Sequence, residues 1–424
     1  MRIACANVAD VTTETAAPPI APRRGPRLLF LLGPAFVAAI AYVDPGNVAA
    51  NLTAGAQYGY LLVWVLVAAN AMAVLVQYLS AKLGLVTGQS LPELLGTRLR
   101  NGPRRLYWAQ AELVAAATDL AEVIGGAVAL YLLFGIPLVL GGVIVGVFSI
   151  VLLAVQNWYG QRHFEFAILA LLAIIAVGFL AGLFVSPVDW SAAAGGLVPR
   201  FEGTATVLLA ASMLGATVMP HAIYLHSSLS RDRHGVQTSD GAIRRLIVAT
   251  RWDVAAALVL AGAVNIAMLL LAAASLSGVD GTDSIEGAHA AITVALGPVI
   301  GVIFAIGLLA SGLASTSVGA YAGASIMGGL LKVRIPLLVR RVVTLIPALV
   351  ILGAGIDPTT ALVLSQVFLS LGIPFALIPL VKYTGDRRIM GVHVDATVTR
   401  VFAWVVVALI VALNVALIVL TLAG

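Results

Sequence analysis

Three side chains that can bind a cation lie beside prolines in the middle of long apolar segments. Asp44 and Asn47 flank the dipeptide Pro45-Gly46 and offer carboxylate and amide oxygens. Met219 precedes Pro220 and offers a neutral thioether sulfur. Oxygen ligands alone suit magnesium, calcium and manganese, whereas a soft sulfur shifts the preference toward later and softer divalent metals. The mixed set of donors therefore predicts a site for a transition-metal ion.

The same local pattern occurs twice, because residues 41–45 and 216–220 both read Ala-x-x-[Asp or Met]-Pro. A proline removes a backbone donor and disfavours the α conformation in the preceding residue, so each apolar helix should break there. The unwound backbone at Ala41 and Ala216 offers carbonyl groups as further candidate ligands. Two broken helices in corresponding halves of a chain indicate a binding site near the middle of the membrane.

Each of the two break residues also has a simpler interpretation. Asp44 can be a structural carboxylate that caps a half-helix, and Met219 can be a packing methionine. An ionisable group at membrane depth costs at least about 2.5 kcal/mol on insertion scales, which favours a function for Asp44. The equivalent positions of the two residues in the repeated pattern favour a shared function for both.

The composition is typical of a protein with many membrane-spanning helices. Of the 424 residues, 61% are hydrophobic and only 10% are charged, and the mean hydropathy is +1.06. The pI near 9.5 does not indicate a nucleic-acid partner, because the basic residues lie in short loops between apolar runs and form no basic face. The single cysteine, Cys5, excludes a disulfide framework and a thiolate metal site.

Eleven apolar runs are long enough, at about 20 residues each, to cross a bilayer. They lie at residues 28–56, 60–83, 106–134, 137–156, 163–185, 205–229, 246–275, 288–319, 336–354, 358–382 and 399–423. With a cytoplasmic N-terminus, every lysine and arginine except Arg200 falls on the inner side, so the positive-inside rule predicts this orientation and an extracytoplasmic C-terminus. The compact loops and the absence of a cleavable signal favour a bacterial plasma membrane.

The runs predict an all-α integral membrane protein with a disordered cytoplasmic tail at residues 1–26. Residues 27–204 and 205–384 are predicted to form two five-helix units, and residues 385–424 add an eleventh helix. Because each unit has an odd number of helices, the second enters the membrane from the opposite side. The predicted architecture is a LeuT-type inverted repeat of five plus five helices, in which the first and sixth helices are broken.

The two break motifs, Asp44-Pro45-Gly46-Asn47 and Met219-Pro220-His221, resemble those of the Nramp family of proton-coupled divalent metal transporters. The resemblance extends over nearly the whole chain after the tail. It includes the stretches Thr118-Asp119-Leu120-Ala121-Glu122, Tyr159-Gly160-x-Arg162-x-x-Glu165, Tyr224-Leu225-His226-Ser227, Ala320-Tyr321-Ala322-Gly323, Ser365-Gln366-Val367 and Pro374-Phe375-Ala376. The chain departs from the family pattern at Ala222, where asparagine is common, and over residues 312–316.

The resemblance implies a transporter, with no enzymatic activity and no resident cofactor, that imports Mn²⁺ or Fe²⁺ together with protons. Co²⁺, Zn²⁺ and Cd²⁺ also fit the ligand set, and no obligate protein partner is implied. The family's metal ligands correspond to the side chains of Asp44, Asn47 and Met219 and to the carbonyl groups of Ala41 and Ala216. Gln366 on the tenth helix is implied as a ligand in some conformations.

Buried ionisable residues on the third helix predict a route for protons. Glu112, Asp119 and Glu122 have the spacing i, i+7 and i+10, which places them within one broad helix face. The resemblance places Asp119 and Glu122 next to His221, and it implies that the route from Asp44 continues toward the cytoplasm along arginines. Those arginines are Arg233, Arg340 and Arg341. The alternative is a static ion-pair network that holds helix three to helix nine.

Two further polar residues within the apolar runs have less specific interpretations. His226 follows His221 by five positions, about 140° around a helix, so the two do not form the shared face of a zinc hydrolase site. We expect His226 to be a hydrogen-bonded interior histidine. Asn265 fits either helix packing or gating.

Two other functions compete with metal transport as interpretations of the sequence. A sodium-coupled amino-acid or amine symporter of the same architecture should offer glycine-rich amides and half-helix N-termini to a substrate carboxylate, whereas Asp44 is an anion and favours a cation. A structural or signalling membrane protein has no evident need for two proline-broken helices. Both are therefore disfavoured by the residues at the breaks.

Overall fold

The computed structural model describes residues 33–159, 161–282, 284–333 and 337–423, and the predicted tail at 1–26 lies outside these ranges. Within them every regular element is helical. The α-helices are α1 (Pro34–Ala39), α2 (Pro45–Tyr58), α3 (Val63–Thr87), α4 (Leu91–Arg98), α5 (Asn101–Phe134), α6 (Leu138–Tyr159), α7 (Gln161–Val185), α8 (Trp190–Gly195), α9 (Gly203–Thr217), α10 (Pro220–His234), α11 (Asp240–Ser275), α12 (Ile285–Leu296), α13 (Pro298–Leu331), α14 (Leu337–Gly353), α15 (Pro358–Thr384), α16 (Arg387–Met390) and α17 (Thr397–Ala423).

The described part of the chain forms eleven membrane-scale segments when α1 with α2, and α9 with α10, each count as one broken helix. Eight segments are long and apolar enough to cross a bilayer by length and composition. The broken first helix, α6 and α14 complete the set. The chain is a multi-pass membrane protein.

The prediction of one uninterrupted helix over residues 288–319 is wrong. A separate helix, α12, ends at Gly297, and α13 begins at Pro298 and continues to Leu331. Gly297 has φ 96°, in the left-handed region that favours glycine, and Pro298 has no N–H with which to continue α12. Apolar character runs through this Gly-Pro step, so hydropathy alone joined the two helices.

The two broken helices lie side by side in opposite directions, because α2 packs against α9 and α1 packs against α10. The third helices of the two predicted units, α5 and α13, pack against each other, and so do the second helices, α3 and α11. The appended α17 packs against α15 and α9. This arrangement brings both breaks together inside the bundle, although the exact boundaries of the two units stay a prediction.

Proline chemistry accounts for both breaks. Asp44 (φ −72°, ψ 167°) and Met219 (φ −65°, ψ 124°) have extended backbones, as expected for residues that precede proline. Pro45 and Pro220 then occupy the first position of α2 and α10, where a helix does not need the missing N–H. The Pro45 ring packs directly against Gly125 of α5, where an added Cβ would overlap the ring.

Candidate metal site at the two helix breaks

The prolines determine which main-chain carbonyl groups are released at the breaks. In an α-helix the N–H of residue i donates to the carbonyl of residue i−4. Pro45 therefore cannot donate to the carbonyl of Ala41, and Pro220 cannot donate to that of Ala216. The Ala216 oxygen accepts a hydrogen bond from Asn47 Nδ2 at 2.9 Å instead. The two carbonyl groups predicted as ligands are thus the ones that lose their helical donor.

Neighbouring carbonyls in the first break are occupied by side chains from other helices. The Tyr42 oxygen accepts from Asn265 Nδ2 at 2.6 Å, and the Val43 oxygen accepts from Ser311 Oγ at 2.6 Å. Asn265 Oδ1 in turn accepts from Asn51 Nδ2 at 2.9 Å. Asn265 therefore holds the unwound backbone to α11 and α2, which supports the packing interpretation of this residue. Sequence reasoning missed Ser311 and Asn51.

Asp44 is the centre of the polar contacts at the first break. Its Oδ1 accepts from the main-chain N–H of Asn47 at 2.9 Å and from Asn47 Nδ2 at 2.5 Å. Its Oδ2 accepts from Gln366 Nε2 at 3.4 Å. The structure therefore brings together the three oxygen-bearing side chains that the sequence analysis assigned to the metal.

Two amide oxygens beside this carboxylate are left over. Asn47 Oδ1 and Gln366 Oε1 are buried and have no hydrogen-bond partner among the residues that the structure describes. A buried polar atom without a partner costs free energy, and such atoms occur where a ligand, an ion or a water satisfies them. A cation beside Asp44 would satisfy both oxygens and balance the buried charge.

Met219 occupies in the second break the position that Asp44 occupies in the first. Its side chain is fully buried, as are the other residues assigned to the metal. In the described ranges no group of three or more His, Cys, Asp and Glu side chains can hold a metal ion. The donors at the breaks are instead one carboxylate, two amides, main-chain carbonyls and a thioether. A site with a single charged ligand binds a cation less strongly than a site with several, so the ion can also leave it.

Two carboxylates of α5 pair with arginines of α14. Arg340 Nη2 donates to Glu112 Oε1 at 2.8 Å, and Arg341 Nη1 donates to Asp119 Oδ1. Asp119 and both arginines line a cavity of about 10 Å³, which is space for about one water molecule. These pairs join helix three to helix nine, as the static-network alternative requires for Glu112 and Asp119.

Glu122 differs from the other two α5 carboxylates. Its side chain is buried against Gly319 of α13, and its Oε2 has no hydrogen-bond partner in the described part of the chain. Asp119, Asp44 and Arg341 all lie close enough to act on it electrostatically, although no arginine in the described part of the chain is hydrogen-bonded to it. Glu122 is therefore positioned between the helix break and the α5–α14 ion pairs without an arginine partner of its own.

The two histidines of α10 contact different neighbouring helices. His221 Nδ1 lies 3.2 Å from Thr118 Oγ1 on α5, and His226 Nδ1 lies 2.7 Å from Gln77 Oε1 on α3. Gln77 Nε2 donates onward to the Tyr42 hydroxyl. His221 thus lies against the helix that carries the acidic residues, whereas His226 belongs to a separate interior network.

Arg233 lies apart from the α14 arginines. Its Nε is 3.6 Å from Glu165 Oε2 of α7. Nearby, the Asp253 carboxylate of α11 accepts from the main-chain N–H groups of Gly33 at 3.0 Å and Ala35 at 2.9 Å, which anchors the start of α1. Sequence reasoning missed Asp253, although a carboxylate inside the predicted run 246–275 was a signal for it.

The chain is similar to known proteins over nearly all of its length. The model of the family Nramp, natural resistance-associated macrophage protein-like, matches residues 35–420. The divalent metal cation transporter MntH of Mycobacterium tuberculosis strain H37Rv is 61% identical over 395 residues, which cover 93% of this chain and 92% of the relative.

Two solved structures share the fold. A crystal structure of the Eremococcus coleocola manganese transporter superposes with a TM-score of 0.82 at 32% identity, covering 91% of this chain and 85% of that one. A crystal structure of MhsT in complex with L-phenylalanine superposes with a TM-score of 0.58 at 16% identity, covering 94% and 98%. The second likeness, at 16% identity, concerns the fold alone.

Proposed function

This chain belongs to the Nramp family, and we propose that it is a secondary active transporter that imports divalent transition-metal ions into the cytoplasm in symport with protons. Mn²⁺ and Fe²⁺ are the proposed cargo, and Co²⁺, Zn²⁺ and Cd²⁺ fit the same donors. The transported ion is a substrate, so no resident cofactor forms part of the proposal.

This proposal rests on the buried carboxylate of Asp44, which lies beside two amide oxygens that have no hydrogen-bond partner among the described residues. Asn47 and Gln366 each use their amide nitrogen on Asp44 and keep an oxygen without a partner in the described residues. The released carbonyl of Ala216 is bonded to the same Asn47 side chain. An anion with several oxygen acceptors, and with no cationic side chain in contact among the described residues, favours a bound cation over a bound anion.

The hydrogen bonds at the breaks indicate how an ion enters and leaves. The Asn47 amide joins Asp44 to the Ala216 carbonyl. An arriving ion competes with these two bonds for the same oxygens, and its departure lets them form again. The exchange lets the Asp44 carboxylate and the Ala216 carbonyl pass from hydrogen bonds to the ion and back, which lowers the cost of emptying a buried site.

The thioether of Met219 is proposed to set selectivity among divalent ions. Calcium and magnesium prefer oxygen ligands, whereas manganese, iron and especially cadmium tolerate or favour sulfur. A neutral sulfur in place of an oxygen or a water therefore penalises the hard ions. Ala41 is the remaining proposed ligand, through the carbonyl that Pro45 releases.

We assign proton movement to a route from Asp44 through His221 to Glu122 and Asp119. His221 contacts α5 through Thr118, and Glu122 is the α5 carboxylate that forms no ion pair with an arginine among the described residues. An unpaired buried carboxylate can take and release a proton, whereas the ion pairs of Asp119 and Glu112 with α14 favour fixed charges. In this proposal Glu122 carries the exchangeable proton, and Asp119, Arg340 and Arg341 hold the route open toward the cytoplasm.

The proposed membrane is the plasma membrane of a bacterium, with a cytoplasmic N-terminus and an extracytoplasmic C-terminus. The distribution of lysine and arginine supports this orientation, because Arg200 alone falls on the outer side. Arg233, beyond the second break, then lies toward the cytoplasm with Glu165. The ion pair and the Asp253 anchor of α1 are proposed to close the inner side of the bundle.

An amino-acid symporter of the same architecture is the second candidate function, and the shared fold is its only support. The residues at the breaks do not favour it, because a substrate carboxylate would meet the carboxylate of Asp44. Thermal stabilisation in detergent separates the two candidates. We expect Mn²⁺ and Cd²⁺ to raise the melting temperature and a panel of amino acids to leave it unchanged; the reverse result would favour the symporter.

Uptake into proteoliposomes tests the proposed function. The purified chain is reconstituted with one dye for internal Mn²⁺ and another for internal pH, and protein-free liposomes are the control. We expect Mn²⁺ entry to accelerate when the outside is made more acidic and Mn²⁺ addition to acidify the interior. Mn²⁺ entry without proton movement would overturn the coupling, and no Mn²⁺ entry would overturn the function.

A further inference from the structure

Asn414 is an unusual residue for the helix that carries it. Between Arg400 and Thr421, α17 offers only this amide and the indole of Trp404 as polar side chains. The Asn414 side chain is nevertheless buried, with 5% of the residue exposed. A polar side chain in a membrane helix is costly unless it is hydrogen-bonded, and it often joins two helices.

Both ends of the Asn414 amide bind one residue of α15. Asn414 Nδ2 donates to the main-chain oxygen of Ser370 at 2.8 Å, and Ser370 Oγ donates to Asn414 Oδ1 at 2.7 Å. The carbonyl of Ser370 would normally accept from residue 374, but that residue is Pro374 and has no N–H. Asn414 therefore supplies from α17 the donor that α15 lacks.

This repair lies one helical turn from the candidate metal site. Ser370 follows Gln366 by four residues, and Gln366 Nε2 contacts Asp44 at 3.4 Å. On the other side the same turn is packed against α9, because a Cβ at Gly215 would overlap the main-chain oxygen of Gln366. The next residue of α9 is Ala216, so the turn is held between α17 and the second break.

We propose that Asn414 is a positioning residue for Gln366. By supplying the donor that Pro374 removes, it holds this turn of α15 in place and with it the separation between the Gln366 amide and Asp44. The inference rests on the proposed function, in which Gln366 is a metal ligand. It gives the appended eleventh helix a role in metal binding that neither five-helix unit supplies.

A double-mutant cycle with Pro374 tests the repair itself. Asn414→Leu leaves the Ser370 carbonyl without a donor, and we expect it to weaken Mn²⁺ binding by about fivefold to tenfold, as for the loss of one net hydrogen bond. Pro374→Ala restores an N–H that can donate to Ser370. In the Pro374→Ala background, Asn414→Leu should therefore weaken Mn²⁺ binding by twofold or less. Equal losses in the two backgrounds would overturn the proposal.

A second cycle, with Gln366→Ala, tests whether Asn414 acts through Gln366. Mn²⁺ affinity is measured by calorimetry, and melting temperatures are recorded for every variant. We expect Gln366→Ala and the double variant with Asn414→Leu to bind Mn²⁺ equally, because the positioned ligand is already gone. Additive losses would overturn the positioning role while leaving Gln366 a ligand. Wild-type affinity in Gln366→Ala would overturn the ligand role and the inference together.

Ser370→Ala is the matched control for general loss of packing between α15 and α17. This substitution removes the hydroxyl donor and keeps the carbonyl that Asn414 Nδ2 bonds. We expect it to lower the melting temperature slightly and to change Mn²⁺ affinity by less than Asn414→Leu does. If Asn414→Leu alone fails to fold, the Pro374→Ala and Asn414→Leu double variant still supplies the comparison, and a large affinity loss there would overturn the proposal.

Discussion

The side-chain amide of Asn47 donates a hydrogen bond of 2.9 Å to the main-chain carbonyl of Ala216, 169 residues away. This bond joins the start of α2 to the end of α9, the two half-helices whose breaks face each other. It exists because Pro220 cannot donate to Ala216 and because Asp44 caps α2 through the same Asn47. Two local proline effects thus produce one shared polar site.

Asp44→Ala should abolish Mn²⁺ uptake while the protein stays folded. The substitution removes the one anionic ligand proposed at the breaks. It also relieves a buried charge, so we expect the melting temperature to stay close to that of the wild type. Uptake is measured in proteoliposomes, and Asp280→Ala, at an exposed carboxylate, is the control. A wild-type rate in Asp44→Ala would place the metal elsewhere.

Met219→Ala should damage selectivity more than activity. Without the thioether, we expect substantial Mn²⁺ uptake, weaker Cd²⁺ binding and new inhibition by millimolar Ca²⁺ or Mg²⁺, as about 1 to 3 kcal/mol of discrimination is lost. The measurement is competition of excess Ca²⁺ against Mn²⁺ uptake. Met213→Ala removes another fully buried methionine of the same broken helix and should leave the competition unchanged. Equal exclusion of Ca²⁺ by wild type and Met219→Ala would assign selectivity to cavity size or dehydration.

Glu122→Gln should alter the pH dependence of uptake more than the affinity for metal. Glutamine keeps the shape of the side chain but cannot exchange a proton, so the acceleration of uptake by external acid should be reduced. Glu112→Gln is the contrasting variant, because it breaks the pair with Arg340 and should chiefly lower the melting temperature. An unchanged pH profile and proton flux in Glu122→Gln would support the static network.

Gly125→Ala should destabilise the first break. The added Cβ would overlap the Pro45 ring, which has no rotamer with which to move away. Overpacking of this kind costs about 1 to 3 kcal/mol, and we expect a lower melting temperature together with slower Mn²⁺ uptake. Gly102→Ala is on the same helix, and its added Cβ would meet no atom within 4 Å. If both variants melt alike, close packing of Pro45 on α5 is not what holds the break.

The sequence predicted the features that local chemistry decides. The breaks at Asp44-Pro45 and Met219-Pro220 were predicted from the repeated Ala-x-x-[Asp or Met]-Pro pattern, and the eleven segments from hydropathy. The error at residues 288–319 arose because hydropathy does not register a Gly-Pro step within an apolar run. The adjacent Gly297 and Pro298 indicate a helix end, and this local signal outweighs the hydropathy of the run.

Partners from distant parts of the chain could not be predicted in this way. Asp253 accepts from Ala35, 218 residues away, and Asn414 bonds Ser370, 44 residues away. Which donor meets which acceptor depends on how the helices pack, and one sequence contains no record of that packing. A charge or an amide in an apolar run indicates only that some partner exists.

The proposed metal site can be checked by the position of Mn²⁺ in crystals of the protein grown with the ion. Anomalous diffraction measured at the manganese absorption edge locates the ion without reference to any assumed ligand. We expect a single strong peak within coordination distance of the Asp44 carboxylate, Asn47 Oδ1 and Met219 sulfur, with the carbonyl of Ala216 turned toward it. A strong peak at any other place in the bundle, with none between the two breaks, would contradict the proposed site.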